Sequence, residues 1–373
     1  MRDTAVGRLD PLDAMRGLAA LAVLVSHVLD FGPSLEAPTL AWLLRFTPLR
    51  VLGNGRAPVV FFFVLSGYVL TLSLLRPGAP GPVGFALRRG VRLLPPVAAV
   101  LALSAALREV FWAGGPPPGV GWLPAGQLWH PDWTWSELAL RSLLIGTAGD
   151  FSLNPPLWSL VHEWRTSLAL PLVLLMVRGR VATLLAAALL LMAAAIATGA
   201  PLDHALLGPR LHSTLAASAY FALPFAAGAA LATAGWDWRL EGEPRHAAWV
   251  AVVACAGLGS DLASVGGSVL LILLARGPGA MPRLLSAPAP VLLGRISFSL
   301  YLVHVPVMAA AVHGTAGLVP VWAGVGLGAL ASLPAAAAFY ALVEAPTQRL
   351  SRRFGRARGP APAVRPAEAA KPG

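Results

Sequence analysis

Arg16 and His27 are the residues whose types and spacing most directly suggest chemistry in this sequence. They lie eleven residues apart in an otherwise apolar segment, so a helix places both on one face, about 16 Å apart along its axis. Arg16 is expected near one membrane surface and His27 near mid-depth, where ionisable groups are typical of functional sites. An imidazole there predicts a general base, because histidine titrates near neutral pH. The alternatives are a surface anchor for Arg16 and a structural hydrogen bond for His27.

Two carboxylates are placed to act with these residues. Asp13 precedes Arg16 by three residues, and this spacing predicts an ion pair at the mouth of the helix. Glu163 lies about one and a half turns inside a helix that Asn154 is expected to cap. Its predicted partner is Arg165 or a distant cation. A purely structural ion pair is the alternative.

Arg88, Arg89 and Arg92 form a cluster just before a Leu-Leu-Pro-Pro run. Spacings of three and four place Arg92 beside both of the others on a helix surface. Arginine forks suit bidentate contacts with phosphate, so the cluster predicts a clamp for a cytosolic phosphate-bearing cofactor. Ordinary anchoring at the membrane surface is the alternative.

Ser297, Tyr301 and His304 recur at positions i, i+4 and i+7 and so share one helical face. A polar stripe of this kind is expected to face the interior of a helix bundle rather than lipid. Hydrogen bonding between helices is the alternative role. Glu344 is expected at the cytoplasmic surface, in a structural salt bridge with Arg349 or Arg16.

The composition identifies the elements that must position these residues. Of 373 residues, 57% are hydrophobic and 12% are charged, and the mean hydropathy is +0.69, whereas soluble domains carry about 25% charged residues. The sequence therefore predicts an all-α membrane protein. The net charge of +11 does not indicate nucleic-acid binding, because most arginines lie between apolar segments. The single Cys255 excludes an intramolecular disulfide, and no metal site is predicted.

Apolar runs of membrane-spanning length predict a bundle of about ten helices around a polar pore. The expected spans are residues 12–31, 57–75, 94–113, 157–177, 181–199, 213–234, 246–260, 262–276, 289–311 and 318–343. The seventh and eighth spans could instead form one broken hairpin. Arginine-rich connections fall on the side of both termini, which is therefore expected to be cytoplasmic. Arg45, Arg50 and Arg56 oppose this trend, and they could face the substrate.

Two further segments have distinctive compositions. Residues 112–135 contain Trp112, Trp122, Trp129, Trp133 and Trp135, which predict an interfacial aromatic belt or, alternatively, a stacking platform for sugar rings. Residues 354–373 are basic and rich in Pro and Ala, and are expected to form a disordered cytoplasmic tail.

Several segments together resemble acyltransferase family 3, whose members are integral membrane O-acyltransferases that include bacterial polysaccharide and O-antigen acetylases. The matching segments are Leu12–Ala20 with His27, Phe61–Tyr68, Arg88–Pro95, Asn154–Glu163, Ile296–His304 and Glu344–Pro346. They occur in the family's order and spacing, and the resemblance covers about residues 8–353. This range is the expected acyltransferase domain.

The resemblance implies a multi-pass enzyme of the bacterial cytoplasmic membrane. It would transfer an acyl group, in the first instance acetyl, from cytosolic acyl-CoA to a hydroxyl of a carbohydrate or small-molecule acceptor. No permanently bound cofactor and no nucleic-acid partner are expected. In the family, the arginine and histidine of the first span and the paired arginines before the third are regarded as functional, which implies roles for Arg16, His27, Arg89 and Arg92.

The residues are then assigned as follows. His27 is expected to act as general base or to carry the acyl group briefly, with Arg16, Asp13 and Glu163 as further catalytic residues. The expected donor site contains Arg88, Arg89 and Arg92. The expected lining of the substrate pore is Ser66, Trp158, Ser297, Tyr301 and His304.

Two other functions remain open at this point. A transporter or flippase for a glycan or lipid-linked intermediate would use the same polar pore, but it should show internal repeats, and the sequence has none that we find. A membrane scaffold that has lost activity would have little reason to retain the arginines and His27 together.

Overall fold

The computed structural model describes residues 10–32, 47, 53–121, 128–129, 134–146, 152–177, 179–198, 211–235 and 243–354. These residues form helices and connecting turns, with no β-strand among them. The helices are α1 (Asp10–Phe31), α2 (Arg56–Leu74), α3 (Pro82–Phe111), α4 (Trp135–Ser142), α5 (Leu157–Val177), α6 (Val181–Ala197), α7 (Leu211–Tyr220), α8 (Ala222–Ala234), α9 (Glu243–Gly257), α10 (Asp261–Arg276), α11 (Ala280–Leu285), α12 (Pro288–Gly314), α13 (Val321–Phe339) and α14 (Ala345–Ser351). A π-helical turn, Tyr340–Glu344, joins α13 to α14.

Seven helical segments within the described residues are long and apolar enough to cross a membrane. They are α1, α2, α3, α5, α7 with α8, α12, and α13 with α14. The expected count of about ten spans is not confirmed. The other three expected spans are the helices α6, α9 and α10, whose lengths of 17, 15 and 16 residues fall short of the roughly 20 needed to cross a bilayer core.

Helices α9 and α10 pack against each other across a short turn, as the broken-hairpin alternative predicted. Gly259 has a φ of 69°, a left-handed conformation that glycine adopts without strain. The hydroxyl of Ser260 then accepts a hydrogen bond from the backbone N–H of Ala263 and caps α10. The tight turn therefore follows from local sequence.

The contact between α1 and α12 positions most of the polar residues. Gly17 and Gly294 face each other there, and a Cβ atom on Gly17 would lie 2.5 Å from the backbone nitrogen of Gly294. The two glycines thus let the helix backbones touch. The helices run in the same direction, because Gly17 meets Gly294 while His27 meets His304 further along both.

A proline inside α12 ties this helix to the segment before α5. Pro306 has no N–H to donate to the carbonyl of Leu302, and the side-chain amide of Asn154 donates to that carbonyl instead, at 2.8 Å. The Tyr301 hydroxyl, one residue away, donates to the carbonyl of Pro156 at 2.9 Å. The expected capping role of Asn154 is wrong, because its Oδ1, the atom that would accept from a backbone N–H of α5, has no hydrogen-bond partner among the described residues.

The tryptophan-rich segment is not uniform. Trp129 is buried, its indole N–H donates to the hydroxyl of Ser104, and its ring lies 5.2 Å from that of His313. It belongs to the core and not to an aromatic belt or an open platform. Trp135 is exposed. Trp122, Trp133, Arg45, Arg50 and residues 355–373 of the expected tail lie outside the described residues.

Candidate active site

A cavity of about 120 Å³ lies between α1, α2, α3, α5 and α12. Its polar lining residues are Arg16, Ser66, Arg89, Arg92, Ser159, Glu163, Ser297 and Tyr301. Seven of these are among the predicted site residues, and Ser159 is the addition. We call this space the arginine cavity. The continuous polar pore expected from the sequence is not confirmed.

Arg89 and Glu163 form an ion pair at the wall of this cavity. The Arg89 guanidinium donates to Glu163 Oε1 and also to the Ser167 hydroxyl at 3.3 Å, and Ser66 donates to the same Glu163 oxygen at 2.9 Å. Arg89 is only 7% exposed, so its charge is compensated largely by this carboxylate. The pair joins α2, α3 and α5 at one point.

Arg165, the other predicted partner of Glu163, lies elsewhere. Two residues along a helix turn the side-chain direction by about 200°, so Arg165 leaves α5 on the opposite side from Glu163. Its guanidinium donates to the hydroxyl of Ser218 and to the carbonyls of Thr214 and Ile145. The expected Glu163–Arg165 pair is therefore wrong, and the distant cation is Arg89.

Arg16 is held by α12 as well as by its own helix. Its Nε donates to the Ser297 hydroxyl at 3.0 Å and one Nη donates to the Gly294 carbonyl at 3.1 Å. The same Nη lies 3.4 Å from Asp13 Oδ1, which confirms the pair predicted from their spacing. These contacts fix one cation at the edge of the arginine cavity.

Arg92 differs from the other two cavity arginines. Within the described part of the chain its guanidinium makes no hydrogen bond, and the side chain is exposed to the cavity. It lies within electrostatic range of Arg16 and Arg89, which repel it, and of Glu163 and Glu344, which attract it. Free guanidinium donors beside a space lined by two other arginines are suited to an incoming anion. Arg88 is exposed and does not line the cavity.

Glu344 lies inside the protein and not at the expected surface salt bridge. It is 2% exposed, and it accepts hydrogen bonds from the Ser299 hydroxyl at 2.5 Å and the Gln348 amide at 2.7 Å. It closes the π-helical turn at Tyr340–Glu344, whose wider geometry changes which face of the helix each side chain occupies. Regular helical periodicity could not have predicted this orientation.

His27 does not line the arginine cavity and is connected to it through His304 and Tyr301. Its Nδ1 is 2.9 Å from Asp30 Oδ2, and its ring centre is 5.2 Å from that of His304. Tyr301, which lines the cavity, has its ring 6.0 Å from His304. We call His27 and His304 the histidine pair. Sequence reasoning missed Asp30, although the spacing of three that identified Asp13 beside Arg16 applies equally to His27 and Asp30.

The contact between His27 and Asp30 determines which imidazole nitrogen of His27 carries no hydrogen. Because an ionised carboxylate only accepts hydrogen bonds, Nδ1 carries the hydrogen and Nε2 keeps its lone pair. The geometry therefore suits His27 as a proton acceptor whose orientation Asp30 fixes. Both side chains are partly exposed, at 19% for His27 and 27% for Asp30.

Trp158 and Arg56 belong to a separate cluster. Trp158 packs against Phe221 and does not line the arginine cavity. Two guanidinium nitrogens of Arg56 donate hydrogen bonds to the carboxylate of Asp261, at 2.7 to 3.1 Å. The guanidinium also lies over the Phe221 ring. The Tyr220 hydroxyl donates to the same carboxylate at 2.8 Å. Since Arg56 is committed to Asp261, this cluster joins α2 to α10.

Three arginines and one glutamate line the arginine cavity, so its wall is positively charged. Arginine in such a wall binds phosphate or carboxylate groups through two parallel hydrogen bonds. Among the described residues, no three His, Cys, Asp or Glu side chains come together as a metal site requires. The arrangement can thus hold an anion in the arginine cavity and accept a proton at His27, which lies outside that cavity.

Comparison with known proteins agrees with this chemistry. Residues 10–341 match the family model for the acyltransferase domain of acyltransferase family 3. The O-acetyltransferase PaAT-1 from Phomopsis amygdali is 33% identical over 144 residues, an alignment that covers 34% of this chain and 28% of that relative. No solved structure matches the chain. Because the family model spans most of its length, the protein belongs to acyltransferase family 3.

Proposed function

We propose that this protein is a membrane-bound O-acyltransferase that moves an acetyl group from cytosolic acetyl-CoA to a hydroxyl of a carbohydrate or related small-molecule acceptor. The observation that carries the proposal is the Asp30-oriented imidazole of His27, connected through His304 and Tyr301 to a cavity lined by Arg16, Arg89 and Arg92. The resemblance to an O-acetyltransferase over part of the chain supports the choice of acetyl.

The arginine cavity is the proposed donor site. Arg92 has free donors and Arg16 is fixed close by, so these two are proposed to contact the phosphates of CoA. Arg89 is paired with Glu163, and in the proposal it shapes the cavity wall and adds positive charge. The thioester lies at the end of a long flexible arm, which would reach past Tyr301 to His27.

His27 is the proposed general base. Its Nε2 takes the proton from the acceptor hydroxyl while the oxygen attacks the thioester carbonyl. The carbon–sulfur bond breaks, the acyl group stays on the acceptor oxygen, and the thiolate takes the proton from the imidazolium to leave as free CoA. Asp30 stabilises the imidazolium that forms between these two proton transfers.

The proposed location is the bacterial cytoplasmic membrane, with both termini in the cytosol. Helix α3 then begins in the cytosol, near Arg88, and ends outside, near Ala113. Both residues are exposed, so Arg88→Cys and Ala113→Cys test the orientation in a Cys255→Ala background. An impermeant thiol reagent added to whole cells should label Ala113→Cys alone. Labelling of Arg88→Cys from outside would reverse the orientation and remove the route for cytosolic CoA.

The function itself is tested by mass spectrometry of surface glycans and secreted small molecules from cells with and without the gene. We expect one acetylated hydroxyl species to disappear when the gene is absent and to return with the wild-type gene. His27→Ala should fail to restore it, whereas His246→Ala, an exposed histidine on α9, should succeed. Identical acetylation with and without the gene would overturn the proposal.

A further inference from the structure

A second cavity, of about 310 Å³, lies between α1, α2, α9, α10 and α11. It shares no lining residue with the arginine cavity, and the described side chains that line it include no charged one. Its polar members are Ser264 and Ser268, and the Ser268 hydroxyl is committed to the Ser264 carbonyl at 2.6 Å. Ligand sites in proteins begin at about this volume. We call this space the apolar cavity.

The apolar cavity is elongated along the helices. Its lining residues run from Met15 to Ala22 on α1 and from Trp249 to Ala256 on α9, and each stretch covers about 10 Å of helix. Leu18, in the cavity wall, is 46% exposed, so the cavity opens onto the surface of the bundle. Helix α1 is long and apolar enough to span a membrane, and that surface therefore faces lipid. A space of this shape and composition suits one hydrocarbon chain.

Two arginines meet beside one end of the apolar cavity. Arg245 lies one turn before the lining residue Trp249 on α9, and a Cβ atom built on Gly279 would lie 2.9 Å from its Nη2. The Nε of Arg283 donates to the Gly279 carbonyl at 3.2 Å. Both guanidinium groups therefore reach the same turn, two residues before the lining residue Met281.

The chain at this end of the cavity is positively charged. Residues 243–249 and 276–285 form it, and their charged side chains are Arg245, Arg276, Arg283 and Glu243. Arginine binds phosphate through parallel hydrogen bonds, and basic sites between membrane helices bind anionic lipid headgroups. An uncharged cavity that ends beside clustered arginines thus matches the two parts of an anionic phospholipid, its chain and its phosphate.

We propose that this end of the bundle binds an anionic phospholipid, with one acyl chain in the apolar cavity and the phosphate at Arg245 and Arg283. The proposal goes beyond acyl transfer and does not depend on it, because the site shares no residue with the proposed donor site. In the orientation proposed above, the lipid comes from the cytosolic leaflet. Helices α9 and α10, with 15 and 16 residues, are too short to cross a bilayer core, and the bound lipid holds them against α1.

The phosphate contact is tested by native mass spectrometry of the full chain in detergent, titrated with phosphatidylglycerol or with phosphatidylcholine of the same chains. The wild type should bind phosphatidylglycerol at least about fivefold more tightly than phosphatidylcholine. The double variant Arg245→Gln, Arg283→Gln should bind phosphatidylglycerol roughly twentyfold more weakly, since each basic residue near a charged lipid surface contributes about fivefold. Arg180→Gln, an exposed arginine just before α6, is the matched control and should bind like the wild type.

The chain contact is tested from two walls of the apolar cavity. Ala256→Leu on α9 and Ala22→Leu on α1 each add bulk inside it, whereas Ala254→Leu on α9 adds the same bulk at an exposed position outside it. Each filling variant should weaken phosphatidylglycerol binding roughly fivefold or more, because the chain then overpacks the cavity. Ala254→Leu should bind like the wild type. The thermal unfolding midpoint without lipid should not fall in any of the three, because the added methyl groups enter open space.

Other outcomes contradict the proposal. Equal binding of the two lipids by the wild type, or wild-type affinity in the double variant, would remove the role of the arginines. Unchanged phosphatidylglycerol binding in either filling variant would place the chain elsewhere. Glycerol phosphate carries the phosphate without a chain, and if it displaced phosphatidylglycerol at equal concentration, the arginines would belong to a site for a soluble phosphate compound. Because these measurements need no acyl transfer, an inactive wild type would overturn the proposed function and leave the lipid site unaffected.

Discussion

In the arginine cavity Arg16, Arg89 and Glu163 are held by other helices, whereas in the histidine pair each ring is held by its own helix. Arg89 on α3 binds Glu163 on α5, and Arg16 on α1 binds Ser297 on α12. By contrast, His27 binds a residue three positions later, and His304 binds a carbonyl four positions earlier.

Because of this difference, substitutions in the two regions should affect folding and catalysis differently. Removing one charge of the Arg89–Glu163 pair leaves its buried partner uncompensated across a helix contact, so both folding and binding should suffer. Removing the partly exposed ring of His27 leaves the helix contacts largely in place, so catalysis should suffer and folding should not. The following substitutions test this contrast, from the largest expected effect to the smallest.

The largest effect is expected for His27→Ala, which should lower acyl transfer roughly a hundred- to ten-thousandfold, the range of a lost general base. Protein level in the membrane and the midpoint of thermal unfolding should match those of His246→Ala. Near-normal transfer by His27→Ala at equal protein level would remove His27 from the mechanism. A large fall in unfolding midpoint would break the contrast, because the histidine pair would then be structural.

The second effect concerns the ion pair between Arg89 and Glu163. Arg89→Gln and Glu163→Gln should each lower the free energy of unfolding by about 3–5 kcal/mol, since each leaves one buried charge without its partner. The double variant should lose less than the sum of the two, because no uncompensated charge remains. Denaturant titration in detergent measures all three. Additive losses would mean that the two side chains are not coupled.

The third effect is on the affinity for acetyl-CoA. Arg92→Ala should weaken binding by about 1–3 kcal/mol, as expected for lost hydrogen bonds to a charged group, while the unfolding midpoint stays unchanged because Arg92 makes no hydrogen bond in the described structure. Arg88→Ala is the matched control, four residues earlier on the same helix and outside the cavity. Calorimetric titration at two salt concentrations measures both. Equal affinities in the two variants would leave Arg92 as a membrane anchor.

The smallest effect is expected for Asp13→Asn. The Asp13–Arg16 pair is partly exposed and lies within one helix, where such pairs contribute about 0.5 kcal/mol or less. Arg16 keeps its bonds to Ser297 and Gly294, so acetyl-CoA affinity should change by less than about threefold. A loss as large as that of Arg92→Ala would show that local pairs matter as much as the contacts between helices.

Periodicity within single helices predicted a substantial part of this site. The shared face of Arg16 and His27 is confirmed, since both contact α12. The stripe of Ser297, Tyr301 and His304 is confirmed as buried. Both predictions needed only the 3.6-residue repeat, which the sequence fixes by itself once a helix forms.

Predictions about contacts between separate segments, and about where helices end, agreed less well with the structure. The sequence offered Arg165 or an unidentified distant cation as the partner of Glu163, and the structure shows that the partner is Arg89, 74 residues earlier in the chain. It also placed Glu344 at the surface, whereas a π-helical turn places it inside. The expected count of about ten spans is not confirmed, because the described helices α6, α9 and α10 have only 17, 15 and 16 residues.

The sequence by itself determined the all-helical membrane class, the family, and the residues that share each helical face. The tertiary structure decided which faces meet: Arg89 against Glu163, His27 against His304, and Asn154 against the carbonyl that Pro306 leaves free. The physical reason is the separation along the chain between the residues that interact. A helical face is set by neighbours within one or two turns, whereas a partner on another helix depends on how whole helices rotate and slide until small residues such as Gly17 and Gly294 let them touch.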